Sequence, residues 1–252
     1  MNFKYGKTAP KRCLGLPSLG DFLDKATAWP FVPAQGWEYA VPASKLSILG
    51  NDLWGCCTAA GALHLIQAQS YNAGKPLVPS TADALGLYSA VTGFDQNAGP
   101  PGSNPTDNGT ALTDLLAHWK SAGVAVGGTT HKILGYAALD ISSLQQMRYA
   151  AFTFGGLYLG IQCPDACQEH TDNWNFAPGL KPEGGHCVIQ AGEGSAGGKI
   201  GSWGMWIPAS NEFLLGYVDE GYVIVTEDWL DAAGKSPSGL DLSGLMAAMK
   251  AL

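Results

Sequence analysis

A polar turn that runs directly into a helix constrains this chain most. Its sequence is Gly50-Asn51-Asp52-Leu53-Trp54-Gly55-Cys56-Cys57-Thr58-Ala59-Ala60, followed by Gly61-Ala62-Leu63-His64-Leu65-Ile66-Gln67-Ala68-Gln69. The second part is rich in helix formers, so a helix is expected over about residues 56–72. Cys56 and Cys57 then stand at its start, where unpaired backbone N–H groups and the helix dipole favour an anion. A thiol there is expected to have a lowered pKa and to be a better nucleophile at neutral pH. Asn51, a short turn upstream, carries an amide that can point at the same spot. A nucleophile beside an amide donor suits acyl transfer, whose tetrahedral intermediate carries an oxyanion.

The rest of the composition is compatible with such a site. The 252 residues are 46% hydrophobic and only 14% charged, with 34 glycines and 15 prolines. This predicts a loop-rich α+β protein with an ample core. A net charge of −7 speaks against a nucleic-acid or anionic-membrane surface. The apolar stretch over residues 149–161 is too short to span a bilayer and is broken by Gly155-Gly156, so it is expected to form one or two buried strands. The opening residues lack the apolar core of a secretory signal, and six cysteines without one are expected to be free thiols in the cytosol.

Residues 1–50, rich in proline and aromatics, are expected to form an extended arm with a short helix near 19–28. A single domain over 51–252 follows: helical over 51–123, mainly β over 124–230, and closed by a helix over 240–252. Within it, helices are expected over 81–91, with Ser80 or Thr81 as cap, over 111–122, and over 141–151. A long loop separates the first two at 94–110. Strands are expected at 132–138, 156–161, 186–191, 199–206 and 221–226. Helices first and strands later suggest two halves with a cleft between them. His118, in the third helix, reads as a surface or packing histidine.

A nucleophilic cysteine needs a base. Of the five histidines, His186 is best placed: it follows Gly184-Gly185 and opens an apolar strand. Taken with the turn at Cys57, the pattern resembles the papain-like cysteine peptidases. Gly185-His186-Cys187-Val188 is similar to the segment around their base. Gly201-Ser202-Trp203-Gly204, with Gly221-Tyr222 further on, is similar to their Asn-Ser-Trp-Gly and Gly-Tyr strands. The closer resemblance is to bacterial and phage proteins bearing Gly-Asn-Asp-x-x-Gly-Asp-Cys-Thr, in which this chain has Cys56 in place of Asp. It covers the chain from about residue 45 onward. It implies a papain-like α+β fold, with a helical half carrying the nucleophile packed against an antiparallel β half carrying the histidine. It further implies Cys57 as nucleophile, His186 as base, and Asn51 with the Cys57 backbone N–H as oxyanion hole. The position of the orienting Asn is Gly201 here, which leaves Ser202 as the candidate to orient His186, under Trp203.

The reaction implied is hydrolysis of a peptide or amide bond through a Cys57 acyl-enzyme, with a peptide or protein as substrate and no cofactor. Acyl transfer to an amine would use the same residues. Another class of reading is a structural phage-particle or secretion-linked protein with a vestigial site, for which assembly with other proteins, virion association or Sec-independent release is expected. Cys163, Cys167 and His170, with Cys187, form a weaker alternative as a zinc set. Cys13 is isolated.

Overall fold

The computed structural model describes residues 3–11, 32–194 and 197–250, with side chains to residue 246. The helix expected near 19–28 and Cys13 lie outside the described residues. After a short β1 (Trp37–Glu38) come three helices: α1 (Cys57–Asn72), α2 (Thr81–Thr92) and α3 (Leu112–Ser121). A small hairpin, β2 (Val124–Val126) and β3 (Thr129–His131), leads into β4 (Ile133–Ala138), α4 (Leu144–Phe154) and β5 (Leu157–Pro164). Then follow α5 (Ala166–Glu169), β6 (Pro182–Gly194), β7 (Gly197–Ser202), β8 (Met205–Ser210), α6 (Asn211–Tyr217), β9 (Val218–Thr226) and α7 (Leu242–Lys250).

The main sheet runs β4-β9-β5-β6-β7-β8, every neighbour antiparallel, and β1 adds to the far end of β6. Its alternation separates two cores. Leu157, Leu159 and Ile161 of β5, Val188 of β6 and Val223 of β9 pack with α4 and α6. Tyr158, Cys187, Ile189, Tyr222 and Ile224 pack with α1, α2 and α3. Residues Cys57 to Ser70 of α1 are all buried, so this helix is enclosed on every side.

Local sequence explains the element boundaries. Ser80 and Asp83 form a reciprocal capping box at the start of α2. Gly155, left-handed at φ 77°, ends α4. The apolar run over 149–161 is therefore the end of a helix followed by one strand, because the two glycines break it at a helix C-cap. The stretch expected as one strand over 199–206 is a hairpin. Trp203 and Gly204 both have positive φ, at 49° and 73°, which is what a two-residue turn of the primed type needs.

Candidate active site

The turn before α1 is held by its own backbone and by the loop over 94–110. The N–H groups of Leu53 and Trp54 donate to the Gly50 carbonyl, and Leu49 and Gly50 both have positive φ. The Gly55 N–H donates to Asp107 at 3.0 Å; Asp107 also accepts from the Tyr88 hydroxyl, which in turn accepts from the Gly109 N–H. These contacts fix Cys56 as N-cap and Cys57 as the first residue of α1. The Cys56 thiol turns away, onto the Leu49 carbonyl at 3.7 Å.

His186 lies on β6 opposite Ile161 of β5. Its Nε2 shares a hydrogen bond of 2.7 Å with Ser202 Oγ, and its ring stacks on Trp203 with centroids 4.5 Å apart. His186 Nδ1 is buried without a hydrogen-bond partner. Ser202, on β7, is thus the hydrogen-bond partner of one nitrogen of the His186 ring. A Cβ at Gly201 would come within 2.7 Å of the Trp206 ring and 2.9 Å of Ile189, so a side chain there would require those two to move. The backbone amide of Cys187, next to His186, meets the Cys57 sulfur, so helix and strand meet at these two residues.

Residues 3–8 run through this junction. The Lys4 N–H donates to the Asn51 carbonyl at 3.2 Å, and Asn51 Nδ2 donates back to the Lys4 carbonyl and to Trp54 O. The Thr110 N–H donates to the Gly6 carbonyl at 2.8 Å, the Thr8 N–H to Thr110 O, and the Lys7 N–H to Gly185 O. Phe3 stacks on Trp203 at 4.5 Å, and Tyr5 meets His186 edge-on. Each of the proposed reacting groups is therefore in contact with this strap or buried beside it.

Burial decides their ionisation. Cys57 is 1% exposed, and desolvation pushes its thiol up to about 11, against backbone N–H groups of Cys187 and Gly6 and the Lys7 ammonium that pull it down. The expectation of a lowered thiol pKa fails in this closed form, because loss of water outweighs the helix start. His186 is pulled down to about 3, first by desolvation and then by His64. Both groups are neutral.

Sequence reasoning missed Lys7. Its side chain is fully buried, with Nζ 2.8 Å from Asp219 and 3.2 Å from Glu220. No local signal marks it, since its partners lie more than two hundred residues away. The zinc set is not assembled. Cys163 and Cys167 share one core, Cys187 belongs to the other, and His170 packs on Phe176. Strand alternation sends Cys187 to the opposite face of the sheet. Among the described residues no group of three His, Cys, Asp or Glu could hold a metal ion, and no helix is long and apolar enough to cross a membrane. His118 is half-buried near the end of α3.

No protein-family model and no curated protein matches the sequence. Solved structures do match the fold. Xylellain, a cysteine protease from Xylella fastidiosa, superimposes with a TM-score of 0.65 at 16% identity, over 89% of this chain and 96% of that one. Procathepsin B S9 from Trypanosoma congolense gives 0.58 at 12%, over 89% and 86%. Digestive procathepsin L 3 of Tenebrio molitor larval midgut gives 0.56 at 12%, over 86% and 75%. With helices packed on an antiparallel sheet and Cys57 meeting the His186 strand, the chain has the papain-like fold of these cysteine proteases.

Proposed function

We propose that the chain is a cysteine hydrolase of peptide or amide bonds. The observation that carries this reading is the state of His186: one nitrogen is anchored to Ser202 under the Trp203 ring, the other is buried without a partner, and the backbone amide of the next residue, Cys187, reaches the Cys57 sulfur at the start of α1. A tautomer with its hydrogen on Nε2, donated to Ser202, leaves the Nδ1 lone pair to act as base. With residues 3–8 displaced, the Cys57 proton passes to His186, and the thiolate attacks the carbonyl carbon of the substrate amide. Asn51 Nδ2 already donates to a strap carbonyl, and with the Cys57 backbone N–H it would meet the developing oxyanion. The imidazolium then gives its proton to the leaving amine. Water, deprotonated by His186, hydrolyses the thioester, releasing a carboxylate and restoring the thiol.

A non-catalytic reading is favoured by one observation, the closed cleft with its neutral, buried thiol. Iodoacetamide labelling of Cys57, followed by peptide mass spectrometry, separates the two. Gly6→Val should evict the strap, because a Cβ at Gly6 would lie 1.8 Å from the Gly55 carbonyl oxygen. A hydrolase predicts slow labelling of the unmodified chain at about pH 6, well below an ordinary thiol pKa, and labelling at least ~tenfold faster in Gly6→Val. Adding His186→Ala should abolish that gain. Labelling of Gly6→Val that is slow, or indifferent to His186, would sink the catalytic reading in favour of an inert scaffold.

A further inference from the structure

Residues 3–8 place one basic side chain in an acidic pocket. Lys7 enters a pocket made by Asp219, Glu220, Gln162 and Gly160, and its side chain is fully buried there. Gly160 makes the space: a Cβ would lie 2.2 Å from Lys7 Cε. Gln162 Nε2 donates to Asp219 Oδ2 at 2.6 Å, and the Tyr222 hydroxyl donates to Glu220 Oε2 at 2.9 Å, so both carboxylates are oriented. Asp219 Oδ1 is left buried with no donor, spare capacity that a guanidinium fork could use. The groove beside the pocket is shaped by backbone. A Cβ at Gly109 would strike the Gly6 carbonyl at 2.0 Å, and one at Gly185 the Lys7 carbonyl at 2.4 Å.

Charge favours a cationic occupant. Two carboxylates face one ammonium, with 7% of the Glu220 side chain and 22% of the Asp219 side chain exposed. With the strap displaced, a cation in its place would keep both carboxylates paired, whereas an uncharged side chain would leave two like charges facing one another. Resting on the hydrolase reading above, we infer that this pocket is a subsite for lysine or arginine. It selects substrates with a basic side chain on the residue next to the one over Cys57, and residues 3–8 are its resident mimic. The residue over Cys57 in the strap is Gly6, whose backbone amide reaches the sulfur. The substrate class is therefore peptides that pair a basic residue with a small one.

The test uses the full chain carrying Gly6→Val, with Lys7→Ala as a second opened variant. Isothermal titration compares a blocked hexapeptide, Phe-Lys-Tyr-Gly-Lys-Thr, with the same peptide bearing norleucine at its second lysine. The lysine peptide should bind on the order of tenfold to a hundredfold tighter, the range expected of charge-assisted hydrogen bonds. That preference should vanish in the added double substitution Asp219→Asn with Glu220→Gln. In parallel, iodoacetamide labelling of Cys57 in Gly6→Val is followed as each peptide is added. The lysine peptide should protect Cys57 at lower concentration than the norleucine one. Equal binding of the lysine and norleucine peptides, or no binding of the lysine peptide to either opened variant, overturns the subsite. An inert Cys57 with the lysine preference intact would instead overturn the hydrolase reading and leave the pocket standing.

Discussion

At the scale of single residues, the site is governed by desolvation. His186 and His64 are both buried; His64 bonds to the Ser47 carbonyl at 2.8 Å, and burial pulls it to about 4, as it pulls His186 to about 3. In the unfolded chain these imidazoles titrate near 6.5. Their folded pKa values are depressed, so below that pH the unfolded chain takes up protons that the folded one refuses. Stability from this source is whole above pH 6.5 and falls as the pH drops towards 4. The slope is about 1.4 kcal/mol per pH unit for each histidine. Glu220 and Glu193, raised by burial, work in the opposite sense at lower pH. Urea unfolding between pH 7 and 5.5 should therefore show a clear loss, roughly halved in His64→Gln; a flat profile would mean that water reaches both rings. Residue identities were legible at this scale. Cys57, His186 and Ser202 each stand in a short local pattern, and the structure brings them to one junction. Their ionisation was not legible, because it depends on what covers them.

At the scale of elements, the packing of α1 on the sheet is set by Gly61. A Cβ there would lie 2.9 Å from Cys187 Sγ and 3.1 Å from the Tyr158 ring, and Tyr158 is pinned by its hydroxyl to the Thr58 carbonyl at 2.8 Å. Alanine would favour the helix by about 1 kcal/mol in isolation. Overpacking against the sheet should reverse that sign and give a net loss of about 1–3 kcal/mol. Cys187→Ala should relieve most of the loss caused by Gly61→Ala. Chemical denaturation of the two single variants and the double one measures this, and strict additivity would show that the contact does not matter. Helices with caps at their ends were the most legible elements. Ser80 and Asp83 mark α2, and Gly155 marks the end of α4. Short elements such as β1 and α6 carried too few residues for a period to emerge. The hairpin of β7 and β8 was missed because its turn consists of Trp203 and Gly204, and a tryptophan is an unusual occupant of a left-handed position.

At the scale of the whole molecule, residues 3–8 join the helical half to the sheet. The Thr110 N–H donates to Gly6, and the Lys7 N–H donates to Gly185. In Gly6→Val the Thr110 amide should lose its acceptor and exchange with solvent at least ~tenfold faster, while amides of β6 from Val188 to Ala191 stay protected. Hydrogen exchange with mass spectrometry reads both, and unchanged protection at Thr110 would mean that the strap still fills the cleft. By itself the sequence determined the local chemistry: a helix starting at Cys57, a histidine opening a strand, a serine next to a tryptophan, and an α+β mixture with an ample core. Those properties follow from nearest neighbours and periodicity. Only the tertiary structure decided that the cleft is filled, that Lys7 is buried against Asp219 and Glu220, and that Cys187 faces away from Cys163. Each of these joins residues far apart in the chain, and their energies are those of burial, which no local stretch of sequence carries.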